Sequence, residues 1–150
     1  MPAPLVVPDA SVLLKWVLPS QDEPGADRAL VLRDAIVEET VRACVPSLWV
    51  YEVGNTLGRR FPAQARAWLG LMAKFALQEA PRSEAWLQKT LELVSGLDVT
   101  FYDAAYHAVA LIQGGTLVTA DTRYVSRARK LGAVEFIADW QPPRRGARRG

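Results

Sequence analysis

An α/β fold with a mainly parallel sheet, covered on both faces by helices, is predicted by three features of the sequence. The chain has 150 residues, half of them hydrophobic, which suits one compact core. Short apolar, β-branched runs recur along it. Helical patterns separate those runs, the alternation expected of βαβ units.

Taken in order, Leu5-Val6-Val7 reads as a buried parallel strand that stops at Pro8-Asp9. Val12 to Val17 is helical until Pro19 ends it. Residues 24–39 set Ala26, Leu30, Ile36 and Val37 among charges in an amphipathic pattern, with Asp22, Glu23 and Asp27 near the helix start, where the dipole favours acids. Ala43-Cys44-Val45-Pro46 is a second strand, and Ser47 is placed to cap a helix reaching about Arg60. Residues 63–78 and 83–94 read as two helices of an insert, divided by Pro81, with Ser83 as N-cap. A helix from Phe101 to Ile112 is broken by Gly114-Gly115, and Leu117-Val118-Thr119 is a third strand. A helix from about Thr122 to Leu131 and a last strand, Val134 to Ile137, complete the domain, which spans residues 1–141.

Composition narrows the function classes. A lone cysteine, Cys44, allows no internal disulfide, and the N-terminus lacks the pattern of a signal peptide, so a reducing cytoplasm is expected. No apolar stretch is long enough to cross a bilayer. The net charge is +2, yet Arg144, Arg145, Arg148 and Arg149 contribute +4, leaving 14 basic against 16 acidic side chains in residues 1–143. The segment 142–150 reads as a basic, disordered tail, suited to attracting nucleic acid phosphates or simply to remaining solvated.

The chemistry-bearing candidates are Asp9, Glu52, Asp103 and Asp121, each at or just after a strand-to-helix junction. In parallel βαβ connections all strands end at one sheet edge, so these acids should converge on one crevice. Singly, each has an ordinary explanation: Asp9 and Asp121 as N-caps, Thr100-x-x-Asp103 as a capping box, Glu52 as a solvated helix residue. Together they repel by roughly 4 kcal/mol per close pair at an effective dielectric of 20, which a divalent cation reverses. An all-oxygen donor set suits Mg²⁺ or Mn²⁺, whereas one histidine and one cysteine do not make a usual zinc site.

Ser11, Asn55 and Thr119 are placed to orient carboxylates or water, and Arg123 to hold a phosphate or balance the acids. His107, four residues after Asp103 on the same helical face, is either a ligand partner or a packed histidine; its alanine-rich surroundings favour packing. Trp16, Trp49, Trp68, Trp86 and Trp140 read as core anchors rather than base-stacking platforms.

With these residues in hand, the chain resembles the PIN-domain ribonucleases, and most closely the toxin branch of VapBC-type toxin–antitoxin modules. The matching pieces are Val7-Pro8-Asp9-Ala10-Ser11-Val12, Tyr51-Glu52-Val53-Gly54-Asn55, Tyr102-Asp103-Ala104-Ala105-Tyr106 and Leu117-Val118-Thr119-Ala120-Asp121-Thr122-Arg123. The resemblance implies a PIN-like three-layer α/β/α domain with an acidic pocket that binds Mg²⁺ or Mn²⁺. In it Asp9 and Asp103 are the principal ligands, and Glu52 and Asp121 complete the catalytic cluster. It further implies RNA hydrolysis leaving 5′-phosphate and 3′-hydroxyl ends, homodimerisation, and inhibition by a small cognate antitoxin. Two departures stand out: Pro8, where the family usually carries an aliphatic residue, and His107, where an apolar one is common.

The function expected is a metal-dependent endoribonuclease, the toxin of a type II system, with Lys15, Arg59, Arg60, Arg123 and the arginine tail as candidates for meeting RNA. Two rival readings stay open. One is a non-catalytic RNA- or protein-binding module; the other is an aspartate-nucleophile phosphatase built on Asp9, weakened because Ser11 stands where such enzymes carry a second acid.

Overall fold

The computed structural model describes residues 2–20, 23–75 and 77–144. Asp22 and nearly all of the arginine tail lie outside the described residues. Five strands, β1 (Leu5–Pro8), β2 (Arg42–Pro46), β3 (Leu77–Ala80), β4 (Thr116–Thr119) and β5 (Val134–Phe136), form one sheet in the order β3-β2-β1-β4-β5. Every pairing is parallel. The helices are α1 (Ala10–Leu14), α2 (Ala26–Val37), α3 (Trp49–Arg60), α4 (Ala65–Met72), α5 (Glu84–Leu97), α6 (Phe101–Gln113) and α7 (Thr122–Ala128). Right-handed crossovers put α1 to α4 on one side of the sheet and α5 to α7 on the other, giving three layers. All four residues of β1 are buried, as a central strand covered on both faces requires.

The reading of residues 63–78 as continuous helix is corrected. The helix stops at Met72, and Leu77-Gln78-Glu79-Ala80 pairs with β2 as an edge strand. Its Gln78 and Glu79 are exposed and it has no β-branched residue, so the pairing comes from tertiary context rather than local preference. The segment 63–94 is therefore a helix, a sheet edge and a second helix. Ser47 also does not cap α3: Leu48 is the N-cap, without a side-chain bond, and its carbonyl accepts from the Glu52 N–H at 3.1 Å. Ser83 does cap α5, accepting from the Trp86 N–H at 3.1 Å.

Pro8 fits a central strand because of where it falls. Asp9 N–H, one residue on, donates to Val118 on β4, so the donor missing at Pro8 would face β2. The register of β1 with β2 runs only through Leu5 and Val6, so the missing donor falls where that ladder ends. At the other end of β4, Gly115 passes so close to β1 that a Cβ there would lie 2.9 Å from the Leu5 carbonyl oxygen. Gly114 turns the chain out of α6 at φ +72°.

Four of the tryptophans are buried core anchors, and Trp68 is half-buried against Phe61 with ring centroids 5.3 Å apart. Trp16 Nε1 donates to Ala29 O at 2.9 Å and Trp86 Nε1 to Ala105 O at 3.0 Å, pinning helices to one another. Among the described residues, no helix is long and apolar enough to cross a membrane.

Candidate active site

The chain leaves β1 toward β2 and leaves β4 toward β5, so a crevice opens where these neighbouring strands end. Asp9 follows β1 and Asp121 follows β4; Glu52 lies in the first turn of α3 and Asp103 in the first turn of α6. All four line one cavity of about 350 Å³ and are half-buried. Ser11 and Asn55 line it too.

Asp9 is the most constrained. As N-cap of α1 it accepts from Val12 N–H at 3.3 Å, and Ser11 Oγ donates to the same oxygen at 2.5 Å. Ser11 Oγ accepts in turn from Ala120 N–H at 3.0 Å, which ties the end of β1 to the turn after β4. The Thr119 hydroxyl is fully buried, favours the charged form of the Asp9 carboxylate and accepts from Asp121 N–H at 3.0 Å. Despite these bonds, burial raises the Asp9 pKa from 3.8 to about 6, with the charge of Asp103 adding to the shift.

Glu52 and Asp103 show the same coupling. Burial raises Glu52, the Tyr106 hydroxyl counteracts, and Asp9 and Asp103 raise it further. Asp103 is raised by burial and by Asp121, against a lowering bond from Thr100. Thr100 is the N-cap of α6, accepting from Asp103 N–H at 3.2 Å. Asp121 caps α7, taking bonds from the N–H groups of Arg123 at 3.0 Å and Tyr124 at 3.1 Å. Capping and convergence therefore coexist, because helix starts are where this topology gathers acids.

The family model of the PIN domain matches residues 6–131. The chain belongs to the PIN domain family. The fold of this PIN domain is similar to those of several solved structures. That of PAE2754 from Pyrobaculum aerophilum is 24% identical with a TM-score of 0.61, over 92% of this chain and 93% of that one. A structure of VapBC2 from Rickettsia felis, bound to a DNA fragment from their promoter, is 13% identical with a TM-score of 0.66, over 88% of this chain and 98% of that one. The structure of FitAB bound to the IR36 DNA fragment gives 16% identity and a TM-score of 0.58, over 91% and 97% of the two chains. No curated protein matches significantly.

The donor chemistry of this PIN domain fits a hard divalent cation: carboxylates from separate segments, mutually repelling and half-buried. As the side chains stand, no three of the described histidine, cysteine or acidic residues are gathered tightly enough to hold an ion. The bonds above explain this: Asp9 is turned to Ser11, Asp121 to the N-terminus of α7, and Glu52 to Tyr106.

Three expectations are corrected or settled. Lys15 is buried and its ammonium pairs with Glu23 at 3.0 Å, so it is not available to RNA. Arg123 is exposed and lines an adjoining cavity rather than the acid pocket itself. His107 is fully buried: its Nε2–H donates to Gly132 O at 2.9 Å, and its Nδ1 accepts from the Tyr124 hydroxyl at 2.8 Å. With both nitrogens engaged, and burial lowering its pKa, His107 is a neutral packing residue.

Tyr106 is the site residue that reading for acids misses. Its hydroxyl donates to Glu52 Oε1 at 2.8 Å. The available signal was its position three residues after Asp103, on the same face of α6.

Proposed function

We propose that this PIN domain is a Mg²⁺- or Mn²⁺-dependent endoribonuclease and the toxin of a type II toxin–antitoxin pair, acting as a homodimer and restrained by a small antitoxin. The observation that carries the reading is the arrival of Asp9, Glu52, Asp103 and Asp121 in one cavity, three from strand-to-helix junctions and Asp103 from the turn between α5 and α6. Similarity in fold to VapBC2, a complex named for two components, supports the partner.

Asp9 and Asp103 would hold the cation, with Glu52 and Asp121 completing the set. When bound, the ion supplies a more acidic water and charge stabilisation at the phosphate. Ser11 and Thr119 fix the direction of the Asp9 carboxylate, and Tyr106 leaves Glu52 one oxygen free to face the cavity. Asn55, exposed at the cavity wall, offers an amide to water or to a phosphate oxygen.

The test is cleavage of a mixed RNA pool by purified protein with Mg²⁺, Mn²⁺ or EDTA, alongside Asp9→Asn and Asp103→Asn. Activity lost in EDTA and in both variants is expected. Equal cleavage by the wild type and both variants overturns the mechanism.

A further inference from the structure

A second cavity, of about 440 Å³, adjoins the acid pocket and shares Asp103 and Asp121 with it as a common wall. Its remaining lining changes character. Arg123 and Arg127 bring two guanidinium groups, and Val99 and Tyr124 give it an apolar side. The two arginines are not equivalent. Arg127 is committed to the turn after α5: its Nη1 donates to Leu97 O at 3.3 Å and to Asp98 O, and lies 3.7 Å from the Asp98 carboxylate. Arg123 is anchored only through its backbone, whose N–H donates to Asp121 at 3.0 Å; among the described residues no hydrogen bond or ion pair takes up its guanidinium.

We infer that this second cavity is a nucleotide subsite, holding the RNA residue next to the cleaved bond while Arg123 takes that residue's phosphate on the far side of the acid wall. The inference rests on the ribonuclease reading above. A polyanion approaching four carboxylates needs a fixed cation beside them, and Arg123 follows Asp121 by two residues. The cavity volume lies within the roughly 300–1,000 Å³ of small-ligand sites. Val99 and the edge of Tyr124 give a base an apolar surface, while Asp98, whose carboxylate is fully exposed, can accept from a base amino group. A guanidinium suits the phosphate because it offers paired donors at fixed geometry.

The test is steady-state cleavage of a short single-stranded RNA pool in Mg²⁺ at several salt concentrations, using wild type, Arg123→Glu, Arg123→Lys and, as a remote control, Arg33→Ala. Arg123→Glu is expected to raise KM about tenfold with kcat within about threefold, and to reduce the salt slope of kcat/KM by about 0.7, the value for one phosphate on a single strand. Arg123→Lys should recover most of the KM, and Arg33→Ala should match wild type. Sequencing the cut ends should show a relaxed base preference beside the cut in Val99→Ala. Unchanged KM and salt slope in Arg123→Glu, with wild-type cleavage intact, overturns the subsite alone. A fall in kcat at unchanged KM overturns it as well, by putting Arg123 on the reacting phosphate. Absence of any metal-dependent cleavage by the wild type removes the ribonuclease reading and the subsite with it.

Discussion

The Tyr106 hydroxyl donates to Glu52 Oε1 at 2.8 Å, joining α6 to α3 across the acid pocket. Tyr106 is almost wholly buried, so water cannot replace that bond from its side. Burial and the nearby acids hold its hydroxyl protonated well above the usual phenol range, which keeps it a donor.

Tyr106→Phe should therefore lower stability by roughly 1.5–3 kcal/mol, the range for a hydrogen bond to a charged group. In a Glu52→Gln background, where the partner is neutral, the same change should cost roughly 1 kcal/mol. Urea unfolding of the four proteins in chelator closes the cycle. Equal costs in both backgrounds would mean that the hydroxyl contributes only packing.

Asp9 makes metal-free stability depend on pH. Its pKa is about 6 in the fold against 3.8 unperturbed, so between those values the folded chain holds a proton the unfolded chain has lost. Stability then falls as pH rises through the window, by on the order of 2–3 kcal/mol in total at 1.36 kcal/mol per unit. Glu52 and Asp103 are raised as well and act with the same sign. Asp9→Asn keeps an acceptor for Ser11 and Val12 but carries no charge. In EDTA the variant should match wild type near pH 4 and exceed it above pH 7. Melting curves at both pH values decide; a variant less stable at both would show that the carboxylate is needed as a cap.

The same repulsion predicts the response to metal. Mn²⁺ at about a hundred times its Kd should stabilise the wild type by about 2.7 kcal/mol. Asp103→Asn should raise metal-free stability or leave it unchanged, because Thr100 supplies the N-cap oxygen of α6. It should also lose most of the Mn²⁺ effect. Differential scanning calorimetry with and without Mn²⁺ measures both; a metal-free loss well beyond 1 kcal/mol would assign Asp103 mainly to capping, which is worth about that much.

The site was more legible in the sequence than one edge of the fold. Asp9, Glu52 and Asp121 could be placed together because parallel topology fixes where strand-to-helix junctions lie; Asp103, expected at such a junction, instead follows the turn from α5 to α6, and reaches the same cavity because α6 leads into β4. Strand β3 could not be placed, since Leu77-Gln78-Glu79-Ala80 has no β-branched residue and pairs only because β2 presents a free edge. Spacing from Asp103 could put Tyr106 on the site's face but not name Glu52 as its partner, and the commitment of Lys15 to Glu23 was hidden likewise: both pairings depend on contacts that no local spacing encodes.

His107 shows how a tempting spacing resolves into structure. It stands four residues after Asp103, yet its ring bridges α6 to the Tyr124 hydroxyl on α7 and to Gly132 O beyond it. Burial holds the imidazole pKa below 6.5, outweighing the Gly132 carbonyl, whose bond favours the charged ring. That stability is present above pH 6.5 and is lost as pH falls, since the unfolded chain then takes up a proton the folded chain resists. His107 thus opposes Asp9 in sign over an overlapping window. His107→Leu should leave the Gly132 carbonyl and the Tyr124 hydroxyl without partners and cost about 2–6 kcal/mol by urea unfolding, at about 1–3 kcal/mol per group. It should also remove the loss of stability below pH 6.5 that the histidine causes, while Mn²⁺ affinity by isothermal titration stays within about threefold of wild type. A tenfold or greater loss of Mn²⁺ affinity in a folded variant would make the ring part of the metal site after all.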